Sequence, residues 1–302
     1  MVRGIPKACD SPIDGYSESR QMPKLLGESM EQEIRLLIES YYDLQHLRIE
    51  TFNRIVAYVK SVRETQATHA SQFKGETHEK TADNTKKFST IANQMVNGKI
   101  EVPADISNIV WYHNMLHETE QELAKRLNAW SSKHPIRIRY LSLIRGIGPI
   151  FSSALIAWLS PISRFDNISK LWSYCGLAPG QKRVKGQKLG YNPRLKTLMW
   201  KIASSFEKQN AKKSVYRKLY DEKKKYLLKR PDLAKAIKKK EKGAKLHVRL
   251  LAMRFVEKRF LANLWLTWRA MEKLPVTKPY AIDQMEHSGY EEPAVDREQP
   301  DE

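Results

Sequence analysis

Apolar positions recur at helical spacing along most of this chain. From about Met30 to Val62, the residues Ile34, Leu37, Ile38, Tyr41, Leu44, Phe52, Ile55, Val56 and Val59 trace one face of a long helix. A second long helix is predicted from near Pro103, since proline is tolerated in a first helical turn. Its Ile109, Leu116, Leu123 and Trp130 recur every seven residues, which suits a helix paired with another. The two are read as an antiparallel hairpin of coiled-coil type or as half of a dimer, with ordinary core packing as the competing account. Residues 64–90, rich in Thr, Lys, Asn and His, read as a mobile connection between them.

Beyond Pro135 the pattern becomes short helices separated by glycine-bearing turns, and no strand pattern stands out. Asn192-Pro193 has the form of an N-cap followed by proline at the first helical position. The helix it opens carries Leu195, Leu198, Met199, Ile202 and Phe206 on one stripe, with Lys196 and Lys201 off it. Two highly charged helices are predicted near 214–229 and 232–241, and a long one from about Ala244 to Lys273. The prediction is therefore an all-α protein, a long helical hairpin followed by a compact helical domain. Its segments are a flexible arm (1–28), the hairpin (29–134), a basic domain (135–279) and an acidic tail (280–302) expected to be disordered.

Charge sharpens this division. The whole chain of 302 residues has a formal net charge of +19. Residues 1–130 hold 16 basic and 18 acidic side chains, residues 131–275 hold 35 and 8, and residues 276–302 hold 2 and 8. The excess belongs to one central block, which favours a polyanionic partner because each phosphate contact releases condensed counterions. DNA is the expected partner, with a structured RNA as the alternative nucleic acid. Solvated lysine-rich helix faces, or an acidic protein or the chain's own tail bound to them, are the competing readings. Two cysteines, Cys9 and Cys175, are too few for a disulfide framework or a four-cysteine zinc site. The start lacks the apolar core of a secretory signal, and the uncharged run Gly146–Ser163 has too short an apolar centre to span a bilayer. A cytoplasmic, nucleoid-associated protein that does not enter membranes is expected.

The sharpest local signal is LIRGIGPIFSSALIAWL, residues 143–159. Gly-Ile-Gly-Pro between apolar helical flanks is the pattern of a helix-hairpin-helix. Gly146 and Gly148 would bare backbone N–H groups beside a helix N-terminus, holding a phosphate without reading its base. Ile147 would point inward and lock the helices, and Ser152 is small enough to preserve their contact. An ordinary corner between two helices is the alternative. A second signal follows in GQKRVKGQKLGYNPRLK, where Lys182, Arg183, Lys185, Lys188, Arg194 and Lys196 sit among three glycines. Tyr191 there could stack on a base or pack internally. His113 and His117 have zinc-compatible spacing but lack the Glu of a zincin beside the first His. No cofactor or metal is expected.

Taken in order, HPIRIRYLSLIRGIGPIFSSALIAWL, RFDNISKLWSYCGLAP and GYNPRLKTLMWKIASSF resemble the C-terminal transposase domain of the DEDD-type insertion-sequence transposases, the bridge-RNA-guided recombinases. The resemblance rests on the glycine hairpin, Phe165 before a helix, the Gly176-Leu177-x-Pro179 turn, and Gly190, Asn192 and Arg194. It extends to roughly Pro279, about half the chain. It implies nucleic-acid binding in DNA transposition and recombination by a mobile element. The departures limit what chemistry it implies. The family begins with a nuclease domain whose four acidic residues hold metal, whereas the N-terminal region here reads as helices and Asp14 lacks a strand to carry it. The family also places a nucleophilic serine after the Gly-Leu-x-Pro turn. Residues Gly180 to Gly190 hold neither Ser nor Thr, Lys185 lies near that position, and Ser173 precedes the turn. Lysine cannot form a seryl-DNA ester. The expected function is DNA binding without strand-transfer chemistry of its own; an active transposase or recombinase subunit is the rival.

Overall fold

The computed structural model describes residues 26–71, 82–180, 185–239, 241–276 and 296. Ten α-helices and no strand occur among them, in keeping with the all-α prediction. α1 spans Leu26–Ser71, α2 Ala82–Val96 and α3 Ser107–Ser131; α3 follows a single 3-10 turn, Ala104–Ile106, that begins just after Pro103. α1 thus extends into the stretch 64–90 and α2 begins within it, while residues 72–81 lie outside the description. α1 and α3 are antiparallel. Tyr58 Oη donates to Asp105 Oδ2 at 2.6 Å, while Arg48 Nε donates to Glu120 Oε2 at 2.5 Å, so rising numbers on one helix meet falling numbers on the other.

The buried face of α3 is not the predicted heptad. Leu116 is buried, but Ile109 is exposed and Leu123 and Trp130 only half-buried. The inward positions are Val110, His113, Leu116, Glu120, Leu127 and Ser131. Three of these are polar, and each has its partner. Glu120 also accepts from Gln45 Nε2 at 3.1 Å, Ser131 Oγ bonds to Leu127 O, and His113 packs against the ring of Phe52. Burial pushes the Glu120 carboxyl up, but the Arg48 and Gln45 hydrogen bonds outweigh it and hold it ionised below its ordinary range.

The short helices follow: α4 (Pro135–Arg139), α5 (Pro149–Leu159), α6 (Ile168–Tyr174), α7 (Pro193–Glu207), α8 (Val215–Lys229), α9 (Pro231–Lys238) and α10 (Ala244–Met271). One large apolar core joins Ile34 and Ile38 of α1 and Leu127 of α3 to α4–α8 and α10, so it crosses residue 135. A second, smaller cluster of Ile55, Val59, Ala92, Met95, Ile106 and Val110 holds α1, α2 and the start of α3 together. α5 approaches α3 closely because it presents serines: Ser152 is buried, and Ser153 Oγ lies 2.9 Å from both Leu127 O and Ser131 Oγ. Within the large core Tyr140 Oη and Tyr216 Oη pair at 2.8 Å, and Asn263 Nδ2 donates to Tyr216 Oη at 3.0 Å, which satisfies polar groups that would otherwise be costly to bury. Phe165 is an anchor through its carbonyl, which accepts from Trp265 Nε1 at 2.7 Å and Arg269 Nη1 at 3.0 Å of α10.

No helix among the described residues is long and apolar enough to cross a membrane. Except for Asp296, the acidic tail lies outside the described residues, as does the arm up to residue 25.

Candidate nucleic-acid interface

Two of the predicted segments meet across α7. The glycine corner, residues 144–148, follows α4 and one 3-10 turn, Leu141–Leu143, rather than a full helix, and leads into α5. Gly146 has φ +95°, a conformation that L side chains avoid, and a Cβ there would meet Ser205 Oγ at 3.1 Å and Phe206 Cδ1 at 3.2 Å. Ser205 Oγ also donates to Gly146 O at 2.8 Å, which ties the corner to the last turns of α7. Ile147 is buried in the core, and its own N–H is spent on Ile144 O. Gly148 differs from both. It is exposed, its backbone is extended, and a Cβ there would meet nothing.

Pro149 has no N–H, so the amides available at the start of α5 come from Gly148, Ile150 and Phe151. They border a groove of about 560 Å³ lined by Tyr41, Tyr42, Gln45, Trp200, Lys201 and Lys208 among others. Lys201 continues into a neighbouring groove with Tyr42, Trp158 and Arg194, and Trp158 and Arg194 continue into a third with Gly190, Tyr191 and Asn192. Arg194, Lys201 and Lys208 are seven residues apart, two helical turns, and so form a basic stripe about 21 Å long down one side of α7. The sequence marks Arg194 within the basic segment and sets Lys201 off the apolar stripe. Lys208 lies outside that predicted set, although its seven-residue spacing from Lys201 places it on the same side.

The stripe is set by how α7 begins. Asn192 caps it, with Oδ1 accepting from Arg194 N at 3.0 Å and Leu195 N at 3.2 Å, and Leu195, Leu198, Met199, Ile202 and Phe206 are buried as predicted. Burying that face commits the opposite one to solvent and to α1. α1 contributes both support and competition. Lys201 Nζ sits 3.5 Å from the centre of the Tyr42 ring, and burial lowers its ammonium below the ordinary lysine value. Tyr42 Oη is buried without a hydrogen-bond partner among the described residues. Arg194 is ion-paired with Glu39 and faces the Trp158 ring.

Of the remaining predicted residues, Lys185, Lys188 and Lys196 are exposed, while Lys182 and Arg183 lie outside the described residues. Tyr191 is half-buried: its ring covers Gly176, and Lys196 Nζ lies 4.6 Å from the ring centre. Asn192 N donates to Tyr174 O at 2.8 Å, so the Gly-Leu-x-Pro turn and the Gly-x-Asn segment form one unit. Arg254 of α10 closes that unit by donating to Leu177 O and Ala178 O at 3.1 Å. Beside it, Glu257 is buried, and desolvation pushes its carboxyl up to about 7 although Arg254 and Lys196 pull the other way. Nothing in the spacing of α10 marked Glu257. Cys175 is core, and burial raises its thiol to about 12. His113 is buried and His117 exposed, and no group of three or more metal-ligating side chains occurs among the described residues.

Residues 138–219 match the profile of the transposase IS116/IS110/IS902 family. The match takes in the glycine corner, the Gly-Leu-x-Pro turn, all of α7 and the start of α8. The match supports a domain over that segment similar to the C-terminal transposase domain of the family. No curated protein and no solved structure matches the chain.

Proposed function

We propose that this chain binds DNA through the stripe Arg194–Lys201–Lys208 and the exposed amides of the glycine corner, as a transposase-related module that leaves strand transfer to other molecules. The observation carrying this reading is the continuity of that surface. The matched transposase segment supplies the corner, the three cations and the exposed Lys185, Lys188 and Lys196 around the start of α7. Backbone amides and lysines hold phosphates without reading bases, so binding is independent of sequence. Gly146 and Ile147 serve by shaping the corner; Gly148 is the member of the trio that faces the phosphate. A second copy joined through the N-terminal helices fits the same reading, because α1 and α3 leave Leu47, Ile49, Trp111 and Met115 exposed.

Titration of a fluorescein-labelled mixed-sequence duplex at several salt concentrations tests the proposal. Affinity is expected to fall linearly on a log–log plot, and Lys201→Ala with Lys208→Ala is expected to reduce the slope by about 2, near 0.9 per lost phosphate contact. Unchanged affinity and slope in the folded double variant would remove the stripe from the interface. Competition by an unlabelled RNA hairpin separates DNA from structured RNA. The rival reading, an active recombinase subunit, requires a covalent protein–DNA adduct or a cut strand in the same mixtures.

A further inference from the structure

An anion already occupies a second cationic pocket, and the chain itself supplies it. Asp296 is the one residue beyond Val276 that the structure describes, and it sits between two distant elements. Its Oδ2 accepts from Arg145 N at 2.6 Å, within the glycine corner and next to Gly146, and its Oδ1 accepts from Val215 N at 2.6 Å, in the first turn of α8. Asp296 N donates to Leu143 O at 3.3 Å. The pocket, about 360 Å³, is lined by Arg145, Lys212, Lys213, Val215 and Lys218 besides the aspartate. The three lysines are exposed, and Arg145 Nε is buried with no hydrogen-bond partner among the described residues.

Two backbone donors from separate elements, converging with a guanidinium and three lysines, can serve a tetrahedral oxyanion as well as a carboxylate. A carboxylate uses two oxygens. A phosphate group has further oxygens to offer Arg145 Nε and the lysines, which hold no acceptor of their own. Arg145 adjoins Gly146, and Lys212 and Lys213 follow α7 by a few residues, so the site neighbours the glycine corner. We infer that it is a phosphate-binding site for the nucleic-acid backbone and that Asp296 is its intramolecular competitor, restraining binding until nucleic acid displaces it. This rests on the DNA-binding reading above. The acidic composition of residues 276–302, with 8 acidic and 2 basic side chains, suits a segment whose carboxylate competes with phosphate for a basic pocket.

The test compares the full-length chain with its Asp296→Asn variant, in duplex titrations and in thermal unfolding with and without inorganic phosphate. Asn keeps the shape of the side chain and removes its charge. The variant is expected to bind the duplex about 3- to 10-fold more tightly, the gain from freeing a site that the tail fills most of the time. It is also expected to gain a phosphate-dependent rise in Tm that the unaltered chain lacks at the same concentration. Adding Lys212→Ala and Lys213→Ala should abolish both gains, and these exposed substitutions touch none of the hydrogen bonds to Asp296. Equal duplex affinity in the folded Asp296→Asn variant, with no phosphate effect, would overturn the inference and leave Asp296 a structural strut. If neither protein binds the duplex, the DNA-binding reading and the competition fall together; a phosphate-dependent Tm rise in the variant would then uphold the anion site alone.

Discussion

Glu257 offers the most direct quantitative check on the packing around the Gly-Leu-x-Pro turn. It sits on α10 with 6% of its surface exposed, and desolvation lifts its carboxyl from an ordinary 4.5 to about 7. The folded chain therefore holds a proton that the unfolded chain releases, and stability must fall as pH rises between those two values. A displacement of that size corresponds to about 3 kcal/mol, most of it spent by neutral pH. Glu257→Gln keeps the shape and cannot ionise, so it isolates this contribution from every other titrating group. Urea unfolding of both proteins should show similar stability near about pH 4.5, with the variant gaining about 3 kcal/mol over the unaltered chain by about pH 8. A gap that stays constant with pH would refute the reasoning. It would mean that Arg254 and Lys196 compensate the buried charge fully, so that the carboxylate is ionised at no cost.

The glycines give two further tests. Gly176 has φ +70°, and a Cβ there would lie 2.8 Å from Tyr191 Cδ2; Gly176→Ala should cost about 2–4 kcal/mol in chemical denaturation, from backbone strain and overpacking together. In a Tyr191→Ala background the cost should fall to about 1–2 kcal/mol, chiefly the backbone part beside the flexible Lys196 Cδ at 3.0 Å, and equal costs in both backgrounds would dismiss the clash with the ring. At the corner, Gly146→Ala should lower Tm, whereas Gly148→Ala should leave stability within about 0.5 kcal/mol and act, if anywhere, on duplex affinity. A destabilised Gly148→Ala variant with normal affinity would reverse these assignments.

The pattern of the chain was enough to place α7, α8 and α10 close to their observed ends; α7 in particular buries a continuous apolar stripe and announces its start with Asn192-Pro193. It was not enough for α3. There the seam uses His113, Glu120 and Ser131, and a search for apolar heptads turns the helix toward Ile109 and Trp130 instead. A polar residue satisfied by a partner far along the chain looks, in one dimension, like a solvent-facing one. The same limit explains the site. The basic loop and the corner were visible as local composition, but their connection through Lys201 and Lys208 depends on which side of α7 faces α1. Tyr191 likewise looked available for stacking until Gly176, fifteen residues earlier, proved to be the floor beneath it.

The charge distribution also changes meaning once folded. The basic block is not uniformly open to a partner: Glu39 of α1 engages Arg194, Glu207 engages Arg249 and accepts from Tyr220 Oη, and Asp296 fills the pocket at Arg145. Two of these carboxylates come from the segments that carry the chain's net negative charge, residues 1–130 and 276–302. A polyanion binding along α7 must therefore displace carboxylates as well as bring phosphates. Displacing an internal carboxylate releases no counterion to bulk solution, unlike stripping a condensed ion from free DNA. Each site held by such a carboxylate should therefore offset favourable contact energy, and removing the carboxylate should raise affinity with little change in how many counterions the DNA gives up.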